Sequence, residues 1–151
     1  MFLTTEIRRY SRRALRNQIS NFAMHENEIS QMVFDAGLKV HRNLGPGLLE
    51  SAYEECLYYE LLKTGLYIEK QKAMPLIYED VKMDVGYRLD FLIESKVVVE
   101  IKSVETLNDV HLAQVLTYLK LSKCKLGLLI NFNVNLFKIG YRRILNGDVA
   151  L

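Results

Sequence analysis

Two apolar stretches of the chain carry charges that a sheet core does not normally accept: Tyr87-Arg88-Leu89-Asp90-Phe91-Leu92 and Val97-Val98-Val99-Glu100-Ile101-Lys102. An Asp followed by a Glu-x-Lys across a short connection is what a two-carboxylate magnesium site with a positioned lysine requires, and such sites act on phosphodiesters. Side chains alternate along a strand, so Glu100 and Lys102 share a face with Val98, and Arg88, Asp90 and Leu92 likewise share a face of their strand. If Glu94-Ser95-Lys96 forms a three-residue loop, Asp90 lies directly opposite Glu100, with Cβ atoms about 5 Å apart. Two carboxylates so placed repel each other, and a bridging divalent cation reverses the sign. Oxygen ligands with room for water and phosphate suit Mg²⁺ or Mn²⁺. The bland alternative is a solvated surface hairpin in which Glu100 and Lys102 form an ordinary ion pair. Val97-Val98-Val99 argues against it by marking this strand as central, where charges need a partner or a function.

The elements that must position these residues are legible from periodicity. Ile29, Met32, Val33, Ala36 and Val40 recur at three and four, giving an amphipathic helix over Glu28–Leu44 that Gly45-Pro46-Gly47 ends. A second helix is expected over Leu48–Lys63, with Glu50 on the face of Tyr53, Leu57 and Leu61. Two short strands, Leu66–Lys70 and Met74–Tyr78, and a turn region at Asp80–Asp84 precede the charged strands. A third helix, Asn108–Leu121, carries His111, Gln114 and Tyr118 as a polar row, with Asn108 or Asp109 at its cap. Lys125–Phe132 is a continuous apolar run, as in a strand covered on both faces. Phe137–Leu145 reads as a last strand or tail. The order implies a mixed sheet flanked by helices, an α/β (α+β) arrangement.

At these positions the chain resembles the GxxExxR/GxxExxY family of the PD-(D/E)xK nuclease-like superfamily. The blocks are Gly47-Leu48-Leu49-Glu50-Ser51-Ala52-Tyr53, Gly86-Tyr87-Arg88-Leu89-Asp90-Phe91, Val99-Glu100-Ile101-Lys102, His111 to Lys120, and Leu126 to Phe132. Together they cover roughly residues 25–146. The resemblance implies a restriction-endonuclease-like αβββαβ core with an extra N-terminal helix. It implies Asp90, Glu100 and Glu50 as metal ligands, Lys102 orienting the attacking water, and Gln114 as the polar group from the following helix. Arg88, Tyr53, His111 and Tyr118 are the candidates for contact with a substrate, although Arg88 would equally suit an ion pair with Glu94 or Asp84. No Pro precedes Asp90, and with Tyr at position 53 no role for the arginine of the family name transfers.

Composition bounds the reading. With 151 residues and 50% hydrophobic content, one domain with a sizeable core is expected. The formal charge of +2 is uneven: residues 1–23 carry +4 and the remainder −2. The folded body is therefore not a basic nucleic-acid platform by net charge. Residues 1–23 read as an arginine-rich leader, an amphipathic helix or an upstream extension, with Met24 a second candidate start, and residues 24–151 as the nuclease-like domain. Cys56 and Cys124 lack metal-ligand spacing and read as buried thiols of a cytoplasmic protein. No secretory signal or membrane span is expected. A glycine-rich phosphate loop, a Ser/His/Asp pattern and HExxH are all missing, which leaves little support for a small-molecule enzyme. The expected activity is Mg²⁺-dependent hydrolysis of DNA or RNA. The alternative is a catalytically silent nuclease-fold module that binds a protein or nucleic acid. Apolar edge strands and nine tyrosines would suit a homodimer.

Overall fold

A computed structural model describes residues 24–147; the arginine-rich leader and the last four residues lie outside the described residues. The chain order is α1 (Glu26–Leu44), α2 (Glu50–Leu62), β1 (Ile68–Tyr78), β2 (Val81–Ile93), β3 (Val97–Lys102), α3 (Asp109–Ser122), β4 (Leu126–Asn131), α4 (Phe137–Gly140) and β5 (Tyr141–Leu145). The strands form one sheet in sequence order. Neighbours are antiparallel except β3 and β4, which run parallel and are joined through α3. This is a mixed α+β sheet of restriction-endonuclease-like organisation, with α1 preceding the αβββαβ core and β5 added at the far edge.

Local chemistry explains the element ends. His25 caps α1, its side chain accepting from Asn27 N–H while Glu28 reaches back to the His25 N–H. Gly45 and Gly47, at φ 66° and 100°, make the turn into α2. Asn108 caps α3 by accepting from the N–H groups of Val110 and His111. Both hairpin turns have two successive residues at positive φ, Glu79-Asp80 and Glu94-Ser95, the geometry that matches strand twist.

Two apolar layers flank the sheet. On one face α1, α2 and α4 pack Ile29, Val33, Leu57, Leu61 and Phe137 against Phe91, Val99, Ile101, Leu128 and Ile130. On the other, Val115 and Leu119 of α3 cover Leu92, Val98 and Leu129. Gly127 permits that second contact, since a Cβ there would stand 2.6 Å from Val115 Cγ1.

Three expectations need correction. The two short strands are one continuous β1, because the segment expected between them, Gln71-Lys72-Ala73, is carried in the ladder by Lys72–Leu89 and Ala73–Arg88. The turn is confined to Glu79-Asp80, and Val81–Asp84 already belong to β2. The final segment begins with a four-residue helix, too short for periodicity to disclose. Cys124 is buried, but Cys56 is only half-buried; both are free thiols. Among the described residues no helix is long and apolar enough to cross a membrane.

Candidate functional site

The site sits where the sheet splays. Strands β2 and β3 pair through Ile93–Val97, Leu92–Val98 and Phe91–Val99, the register a three-residue connection requires. Pairing stops one row short of Asp90 and Glu100. There the Asp90 side chain takes over a main-chain role, its Oδ2 accepting from the Ile101 N–H at 2.8 Å. Leu89 and Leu92 reach the same apolar layer although three positions apart, so the alternation of β2 is interrupted around Asp90. Across the sheet, Gln71 stands at φ 52° in the row of Asp90 while the β1–β2 pairing keeps step on either side. A sheet irregular on both sides of one residue turns that residue out of the ladder and leaves its carboxylate available.

Glu100 is 5% exposed, and its Oε2 has no hydrogen-bond partner. Its Oε1 lies 3.5 Å from Lys102 Nζ. Burial, and then the charge of Asp90, push the Glu100 carboxyl up to about 8, with Lys102 opposing. Burial likewise pushes Asp90 up to about 6; the Ile101 N–H opposes this and the charge of Glu54 adds to it. A buried carboxylate oxygen without a partner, beside a second carboxylate, costs free energy that one cation would remove. The donors are all hard oxygens, so the pair fits a hard divalent ion. Among the described residues no three His, Cys, Asp or Glu side chains are grouped as a metal cage. A cation held by two carboxylates would keep positions for water and a phosphate oxygen, as Mg²⁺ sites commonly do.

The other expected residues divide. Glu50 is exposed at the start of α2, and its Oε2 accepts from the Ser103 N–H at 3.3 Å, which places it just beyond the end of β3. On α3, Gln114 Nε2 donates to the Tyr118 hydroxyl at 2.9 Å. Tyr118 is 4% exposed, meets Tyr87 edge-on, and has its phenol pushed up by burial and by Glu100. Those two residues therefore belong to the surroundings of Glu100. His111 Nδ1 accepts from the Asn108 N–H, so that nitrogen serves the helix cap.

Tyr53 departs from the expected substrate contact. It is fully buried, its ring stacks on Phe132 at 4.5 Å, and its hydroxyl donates to Gly45 O and accepts from Leu48 N–H. It ties the interhelical turn to the core. Arg88 is exposed opposite Ala73, and Glu94, weighed as its ion-pair partner, accepts from Tyr67 N–H instead.

Glu54 and Gln71 escaped the sequence reading. Gln71 Nε2 lies 2.6 Å from Glu54 Oε1 and 3.3 Å from Asp90 Oδ1. The helix carboxylate linked to Asp90 is therefore Glu54, one turn beyond Glu50. That i, i+4 spacing was the available signal; nothing in the sequence marked Gln71.

A family model described as the PD-(D/E)XK nuclease superfamily matches residues 27–144. Searches of curated proteins and of solved structures returned no match.

Proposed function

The chain belongs to the PD-(D/E)XK nuclease superfamily, and from that premise we propose that it is a Mg²⁺- or Mn²⁺-dependent nuclease hydrolysing phosphodiester bonds of DNA or RNA, in the GxxExxY branch that its Gly47–Tyr53 block resembles. The observation that carries the proposal is the buried Glu100 carboxylate, one oxygen unpartnered, beside Asp90 and Lys102. Asp90 and Glu100 would hold the cation, which when bound supplies charge to polarise a phosphoryl oxygen and acidify a water. Lys102, 3.5 Å from the Glu100 carboxylate and only partly exposed, would donate to the attacking oxygen and stabilise charge developing on the phosphate. Tyr118, bonded by Gln114, lies within electrostatic reach of Glu100, whose charge adds to burial in pushing its phenol up. Glu50 of α2, which accepts from the Ser103 N–H just beyond β3, would steady the same edge.

The test is cleavage of single-stranded, double-stranded and branched nucleic acid with Mg²⁺, Mn²⁺ or chelator. Cleavage is expected to need the metal and to vanish in Asp90→Ala and Glu100→Ala. If the wild-type protein cuts no form with either metal, the nuclease reading fails.

A second reading, a binding module without catalysis, is favoured by one feature: the body after residue 23 carries a net charge of −2. Calorimetry separates the two. Partner binding without metal binding supports the module.

A further inference from the structure

Resting on the metal-site reading above, we infer that Gln71, held by Glu54, is a positioning residue that sets the orientation of the Asp90 carboxylate. Three observations carry this. The Gln71 amide is placed to donate from one nitrogen to two carboxylates, Glu54 at 2.6 Å and Asp90 at 3.3 Å. The second Asp90 oxygen is bound separately by the Ile101 N–H. Asp90 is thus fixed from both sides, by the main chain of β3 and by a side chain of β1 that α2 anchors.

The third observation is conformational. Gln71 adopts φ 52° inside a strand whose pairing with β2 is in step before and after it, Lys70 with Phe91 and Lys72 with Leu89. A left-handed non-glycine residue within a ladder is strained, and it persists only where surrounding contacts over-determine it. Besides the flanking ladder, the contacts present are the two carboxylates. A glutamine that merely decorated the surface would lie in extended backbone and leave its amide to water.

The arrangement has a chemical logic. Glu54 repels Asp90, adding to the upward push on its carboxyl. An amide between them offers a hydrogen to each and keeps the helix carboxylate close without direct contact. Groups that orient a metal ligand through hydrogen bonds typically alter metal affinity ten- to a hundredfold when removed.

The experiment measures Mn²⁺ binding by calorimetry on the full chain, with thermal melting of each metal-free variant alongside. Gln71→Ala deletes the amide. Gln71→Gly deletes it too and gives the left-handed backbone to a residue that adopts it freely, so this variant decides the matter should alanine fail to fold. Both are expected to weaken Mn²⁺ about tenfold or more, with the glycine variant melting no lower than wild type. Glu54→Gln keeps an acceptor for the Gln71 amide and is expected to bind Mn²⁺ nearly as wild type does, whereas Glu54→Ala follows the Gln71 variants. Unchanged Mn²⁺ affinity in Gln71→Gly, with loss in Asp90→Ala, overturns the positioning role and leaves the metal site standing. Unchanged affinity in Asp90→Ala as well overturns the metal site itself. Wild-type affinity in Glu54→Ala overturns the part given to α2.

Discussion

A carboxylate as buried as Glu100, with one oxygen lacking a partner, is held at a cost that falls on the metal-free protein. Both site carboxyls have folded-state pKa values above their usual ones, Asp90 about 6 against 3.8 and Glu100 about 8 against 4.5. The unfolded chain therefore gives up these protons first as pH rises. Their contribution to stability is complete below the ordinary carboxylate range and is lost progressively toward pH 8. In chelator, the melting temperature is expected to fall between pH 5 and pH 8, and saturating Mg²⁺ is expected to flatten that slope. Glu100→Gln, which keeps the shape and removes the charge, should melt higher than wild type at pH 8 in chelator while losing metal binding. A lower melting point for Glu100→Gln under those conditions would refute this account. Tyr53→Phe is a contrasting case. It retains the stacking on Phe132 but strands the Leu48 N–H and Gly45 O, so a loss of about 1 kcal/mol by urea unfolding is expected.

Between elements, one close constraint is the seating of α3 on β4. Gly127→Ala would bring a Cβ within 2.6 Å of Val115 Cγ1, and a destabilisation of about 1–3 kcal/mol is expected. Val115→Ala in the same chain should recover part of it, which a double-mutant cycle would measure as a favourable coupling. How far such elements could be read from the residues differs from case to case. The register of β2 on β3 was legible because a three-residue connection leaves one choice, which Phe91–Val99, Leu92–Val98 and Ile93–Val97 obey. The expected pairing of Asp90 with Glu100 is not made, because the Asp90 side chain binds the Ile101 N–H instead. Helix α1 was legible because apolar residues at three and four leave one buried face. The union of β1 was not, since the intervening Gln71-Lys72 is polar, with no apolar alternation, and is held as strand only by the β2 pairs at Lys70 and Lys72. Gln71 was invisible for the same reason: its role depends on a left-handed backbone angle and on partners nineteen and seventeen residues away. Tyr53 was misread because a motif spacing specifies a position on a helix, not whether its side chain faces a ligand or the core.

Across the molecule, the β1–β2 pair outlasts the rest of the sheet. β3 has six residues, whereas β2 has thirteen and continues past Asp90 with β1 as its partner. Ile77, Tyr78, Val81 and Val85, on this distal arm, are 57–63% exposed. The row of Asp90 thereby becomes a mechanical boundary, and hydrogen exchange should reveal it. Amides of Phe91–Ile93 and Val97–Ile101, in the covered sheet, are expected to exchange only by global unfolding. Those of Leu76–Met83 should exchange by opening of the arm alone, at far lower free energy. A gradient with no step near residue 90 would argue against this. Where the step is present, Asp90 is the last fixed point before a lever, and Glu100 lies wholly on the rigid side. One carboxylate of the pair can then be swung by whatever bends the arm, while the other stays in place.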